Sequence, residues 1–278
     1  WVGTEAPMTY ENFWILSFHL LGGSAYQVLS YDQRNTSMEA TIGLGVLCVI
    51  FLGFTVAIIS GRRHARAMKQ FSKTIGFSYM PHVEDDEAFL QQFSRLPLFA
   101  RGKNQDVWNI MKGHVQDFEV TIMEFRYSYN SSSTKSTGEI STQTVVILKS
   151  DTLNLPSFSL TPHKTSTELG KKIFSALMPT FSQFIPQDID FDSHPLFSEF
   201  YLLQGTRKNE DAVRKLFNHE VIRYYEIQKC LCTDGAGNTI MCYSLGEQLT
   251  PEDISSFLDQ SIEVCEMFKR AGHLSSAT

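Results

Sequence analysis

The chain has 278 residues, 42% of them hydrophobic and 19% charged, with a net charge of -6. That length and apolar content suit one folded domain plus a membrane anchor and leave no room for a multi-span transporter. Outside one basic cluster the balance is acidic, which argues against nucleic acid as a partner, since phosphate neutralisation needs clustered Lys and Arg.

In chain order, residues 10–31 come first, a weak apolar stretch broken by Gly22 and Gly23 and edged by Tyr10, Trp14, Tyr26 and Tyr31. Aromatic rings favour the membrane interface, so this segment is expected to lie there, with a second span as the alternative. His19 in this stretch could ligate a membrane pigment or haem; an ordinary interfacial histidine is the plainer reading. The next segment, Thr41 to Ser60, is twenty residues without a charge. At about 1.5 Å per residue it is about 30 Å long, the thickness of a hydrocarbon core, and is expected to span the membrane over residues 41–61.

Arg62, Arg63, Arg66, Lys69 and Lys73 follow at once. The positive-inside rule puts this side in the cytoplasm, and the collar is expected to contact anionic lipid headgroups. Cys230, Cys232, Cys242 and Cys265 would then sit in a reducing compartment, as free thiols. Ala65, Met68, Phe71 and Ile75 recur at helical spacing, so the helix is expected to continue through 62–76 and stop at Gly76.

Residues 77–278 are expected to form a cytosolic α+β domain of antiparallel β-hairpins packed with helices. A short helix near Asp85–Arg95 ends before Pro97. Residues 118–129 and 142–150 read as a long-looped hairpin. Helical patterns return at Thr165–Leu177 and Asn209–Phe217. Residues 221–232 and 239–245, separated by a DGAGN turn, read as a second hairpin before a helix opened by Thr250-Pro251-Glu252-Asp253. Two passes of strand, strand, helix raise the prospect of an internal repeat.

One pattern in the span bears on function. Thr41, Gly45, Val49, Gly53, Ala57 and Gly61 lie four residues apart. In lipid, small residues let helix backbones approach closely, so the series is expected to be a helix-packing face for another integral membrane protein. The alternative is the ordinary abundance of glycine in such helices.

Other motifs are weaker. Asp188, Asp190, Asp192 and Glu199 fall at calcium-loop positions one, three, five and twelve, but Ser193 replaces the turn glycine and Pro195 follows. Cys230-x-Cys232 with Cys242 lacks CxxC spacing and a histidine pair, so no metal is expected. The eight histidines show no local signature with a nucleophile, and no GxSxG, Walker or GxGxxG motif occurs. No catalytic residue and no cofactor are expected.

Gly76-Phe77, Leu98-Phe99 with Gly102, Asn109 to Gly113, Glu124 to Tyr127, Leu155 to Phe158 with Pro162, and Asp190-Phe191 through His194-Pro195, Phe197-Ser198, Tyr201 and Gly205 resemble a group of uncharacterised bacterial membrane-anchored proteins. These residues are mostly turn glycines, prolines and core aromatics. The resemblance implies a cytosolic α+β domain behind a helix in a bacterial inner membrane, with no known activity. The expected function is a non-catalytic accessory subunit of a larger membrane complex, with photosynthetic and respiratory complexes as the class considered. A membrane-tethered ligand- or protein-binding regulatory module ranks next, and an enzyme last.

Overall fold

The computed structural model describes residues 36–100, 102–129, 139–163, 187–228 and 231–276. The expected interfacial segment at 10–31 and the expected helix at 165–177 lie outside the described residues. The chain divides into two units, Trp1–Gly61 and Arg62–Thr278. Helix α1 (Thr36–Thr74) crosses the division. In the first unit its apolar side chains Val46, Val49, Phe51, Leu52 and Val56 are exposed, as suits a helix surrounded by lipid.

The second unit is α+β. Its strands are β1 (Ser78–His82), β2 (Lys103–Val115), β3 (Phe118–Tyr129), β4 (Glu139–Lys149), β5 (Leu155–Pro162), β6 (Gln187–Asp188), β7 (Tyr201–Gly205), β8 (Cys232–Gly237) and β9 (Thr239–Tyr243). They form one sheet in the order β1-β2-β3-β4-β9-β8-β5-β7-β6, antiparallel at every pairing. The helices are α2 (Asp86–Gln91), α3 (Pro195–Phe200), α4 (Glu210–Leu216), α5 (His219–Ile227) and α6 (Pro251–Ser276).

The sheet is apolar on both faces, and the two-residue period of a strand sorts its side chains between them. Phe118, Val120 and Ile122 of β3, Val146 and Leu148 of β4, and Ile240 and Cys242 of β9 enter the larger core with α6. Met123, Phe125, Val145, Ile147, Met241 and Tyr243 enter a smaller core closed by Leu90, Leu96, Leu98 and Phe99. Local signals place the helices as expected. Asp85 caps α2 by accepting from the Ala88 N–H at 3.0 Å, and the Thr250 hydroxyl, at the start of α6, donates to Asp253 Oδ2 at 2.7 Å. Gly76, at φ +75, ends α1.

Three expectations at the element level are corrected. Residues 221–232 are not one strand: α5 occupies His219–Ile227. The Asn218 side chain accepts from the Val221 N–H at 3.1 Å. Val221, Ile222 and Tyr225 then form one buried helical face. β-branched and aromatic content mimicked a strand, and the cap decided the outcome. Nor do the described residues form a repeat of strand, strand, helix. The first four strands form a consecutive meander, whereas β5 lies between β8 and β7. The expected DGAGN turn shrinks to Gly237-Asn238, because β8 stays paired through Ala236, opposite Thr239.

Gly235 has a packing reason. A Cβ there would overlap the ring of Phe158, which is fully buried and held from other sides by Phe217 at 5.1 Å and Phe268 at 5.2 Å between centroids. Gly235→Ala should therefore cost about 1–3 kcal/mol through overpacking. Gly272→Ala, on α6 with nothing within 4 Å of the new Cβ, should stabilise by about 0.5–1 kcal/mol. Thermal melts of the two variants should move in opposite directions.

Candidate functional site

The residues expected to carry function begin on α1. Among the described residues, one helix is long and apolar enough to cross a membrane. Thr41, Gly45, Val49, Gly53, Ala57 and Gly61 all lie on it. Val49, Gly53 and Gly61 are exposed, and a Cβ at Gly53 or Gly61 would meet nothing within 4 Å. Packing among the described residues therefore does not require glycine at either place. Residues four apart advance about 40° around a straight helix, so the six positions wind around it. Neighbouring members of the series share a face; its two ends do not.

From Arg62 onward α1 divides by side. Arg62, Arg63, Arg66, Lys69 and Lys73 are exposed. Met68 and Ser72 are fully buried, and Phe71 and Ile75 pack against the larger core. The collar is thus the outer face of a core helix.

Beside the collar lies a polar group that sequence reasoning left without a role. Glu124 follows Phe118, Val120 and Ile122 in the inward row of β3, and it is fully buried. A carboxylate there needs partners, because desolvating an unpaired charge costs several kcal/mol. His64, on α1, lies with Nε2 2.5 Å from Glu124 Oε1. Asn109 Nδ2 donates to Glu124 Oε2 at 2.6 Å. The Tyr79 hydroxyl donates to Asn109 Oδ1 at 2.6 Å, with the Ala65 carbonyl at 3.3 Å as a second acceptor. β1, β2, β3 and α1 each contribute one side chain.

The backbone of β2 is bent to this purpose. The β2–β3 register shifts between Trp108 and Met111, and Asn109 sits there at φ +50. Asn is among the few L-residues that enter the left-handed region readily. The bulge aims its amide at the buried carboxylate.

The hydrogen bond to Glu124 raises the His64 pKa above its ordinary 6.5, against the opposing effect of burial. Burial, then the Glu124 charge, raises that of Tyr79. Because the folded value for His64 lies above the unfolded one, its contribution is complete below about pH 6.5 and is lost as pH rises through the raised value.

Other singled-out residues are mostly dispersed. Asp188 Oδ1 accepts from Gln204 Nε2 at 2.9 Å, and the Asp190 carbonyl accepts from Arg214 at 2.7 Å. The calcium-loop register is spread over β6 (Gln187–Asp188), a turn and α3 (Pro195–Phe200). Cys230 and His19 lie outside the described residues. Cys242 and Cys265 are free and buried; burial pushes the Cys242 thiol up to about 12, which makes it a poor nucleophile. Among the described residues no group of three or more His, Cys, Asp or Glu side chains could hold a metal ion. The fold does bring His194 and His219 together, in ring contact. An open hollow of about 610 Å³ beside α6 is lined by Glu247, Asp253, Asp259 and Glu263 among others, and by no histidine.

His64→Ala should destabilise the protein by about 1–3 kcal/mol, since a buried acceptor loses its partner. The difference from wild type should be largest near pH 6 and shrink as pH rises, which paired thermal melts from pH 6 to 9 would measure. A pH-independent difference would assign the loss to packing.

No protein-family model matches the chain, and no curated protein matches it in sequence. Among solved structures it is similar to the crystal structure of the mycobacterial trehalose monomycolate transport factor A, TtfA. The two share 12% identity at a TM-score of 0.47, over 76% of this chain and 94% of that one. The likeness is one of distant fold.

Proposed function

We propose that this chain is a non-catalytic accessory subunit of a larger membrane protein complex. In this reading α1 spans a bacterial inner membrane, its small-residue face packs against an integral membrane partner, and the α+β domain braces that partner on the cytoplasmic side. Complexes of the energy-transducing kind, photosynthetic or respiratory, are the class to search first.

The observation that carries the reading is the open surface at Gly53 and Gly61, where nothing among the described residues occupies the space a side chain would fill. A helix that only anchors a domain gains nothing from such a surface, whereas close backbone approach is a principal source of helix association in lipid. The collar supports the orientation. Each Lys or Arg near an anionic surface contributes about 1 kcal/mol, and five exposed ones follow the apolar segment.

Gly45→Leu and Gly53→Leu together should release the chain from its complex while leaving it in the membrane. The measurement is co-purification from gently solubilised membranes; undiminished co-purification would remove the packing claim.

A second reading, a membrane-tethered regulatory module, is favoured by the acidic hollow beside α6. Cationic small molecules at 100 times Kd would stabilise the protein by about 2.7 kcal/mol. A thermal-shift screen of the full chain in detergent would show that as a raised Tm, which the accessory-subunit reading does not require.

A further inference from the structure

We propose that the end of the sheet carrying Trp108, Arg126 and Ile140 is a second lipid contact, seated on the headgroups of an anionic bilayer beside the basic collar. This rests on the membrane span of the reading above, and is independent of the partner complex.

The path of the chain within the second unit picks out this end. His64 of α1 lies against Glu124 of β3. From there the chain advances toward the opposite end of that strand, because Phe77, just past α1, packs on Gly113, which is paired with Val120. Traced backwards from His64, α1 therefore heads toward the end that holds Arg126 and Ser128. The unit begins at Arg62, directly after the apolar segment, so a bilayer holding that segment would meet the unit there.

The side chains at this end suit such a surface. Beyond Glu124 the inward row of β3 continues as Arg126 and Ser128, outside both cores. Asp106 and Thr142 stand opposite Arg126, and Lys103 and Ile140 stand opposite Ser128. The Arg126 guanidinium lies over the Trp108 ring at 5.5 Å. Ile140 is 58% exposed. Outside α1, the other large apolar side chains left exposed among the described residues are Leu196 and Ile227, which belong to α3 and α5. An isoleucine open to water in a cross-strand row gains nothing from being apolar unless something covers it.

Charge and ring chemistry name what covers it. Asp106 pairs with Arg126 and offsets its charge, which leaves exposed Lys103, Arg62, Arg63 and Arg66 as the cations of this side. These attract an anionic surface. Tryptophan favours the headgroup level, where its ring meets hydrocarbon and its N–H meets water, and Lys and Arg reach headgroups from apolar surroundings on their long stems. An acidic protein surface would match the cations. Continuity with the apolar segment selects lipid instead.

The test uses the full chain in nanodiscs of anionic phospholipid. Trp1→Phe and Trp14→Phe remove two of the three tryptophans and leave Trp108. Lipid brominated near the top of its acyl chains should quench most of the Trp108 emission, and lipid brominated near the chain ends should quench less. Ile140→Glu, at an exposed position, should weaken the quenching while leaving the thermal melt unchanged. Equal Trp108 emission in brominated and unbrominated nanodiscs would overturn the contact, and undiminished quenching in Ile140→Glu would overturn the part assigned to Ile140. Resistance to alkaline extraction reports insertion of α1 separately. A resistant chain with unquenched Trp108 would remove this contact and keep the span, whereas an extracted chain would overturn both.

Discussion

The second unit is organised around a carboxylate that has no access to water. Glu124 stands in a row of core side chains on β3, and ionised in that position it requires donors from its neighbours. Three elements answer it. α1 brings His64, β2 bulges so that Asn109 points inward, and β1 supplies Tyr79 to hold Asn109. A leucine at 124 would leave the buried Asn109 amide without its acceptor and the partly exposed His64 without its partner, so the four residues act as one network. The arrangement also explains why the stretch just after the apolar segment is helical and ordered: it completes the sheet's polar interior.

A single helix therefore does three jobs in succession. Its first part presents apolar side chains and open glycines. A collar of five basic residues follows, exposed on the outer side. On the inner side of that collar, Met68, Ser72 and Phe71 join the core of the sheet domain. The one helix α1, Thr36 to Thr74, contributes residues to both units. In the proposed function, a partner gripping the small-residue face would be joined to the domain by one element of secondary structure.

What could be read in the sequence was whatever is local. The apolar helix and the basic collar follow from hydropathy and charge along one segment, and Gly76 and Thr250-Pro251 mark helix ends by their own backbone preferences. The β3–β4 hairpin followed from two β-branched and aromatic runs on either side of a long polar loop. The 221–232 segment misled because composition favours a strand while the decisive cap, Asn218, sits outside the window of apolar residues. The polar interior was out of reach for a different reason. His64 and Glu124 are 60 positions apart, and only the topology makes them neighbours. One signal was present: in FEVTIMEFRYSY, the alternation that puts Phe118, Val120 and Ile122 inside also puts Glu124 inside. Asn109 and Glu124 also head two of the stretches that carry the bacterial resemblance, where they look like framework residues.

Whether this chain works as part of a larger membrane assembly is decided by its state in native membranes. Gentle solubilisation, a native gel, and mass spectrometry of the band holding this chain would decide it. A subunit should comigrate stoichiometrically with one large complex containing integral membrane proteins. Migration as a free monomer under conditions that leave known membrane complexes intact would contradict it.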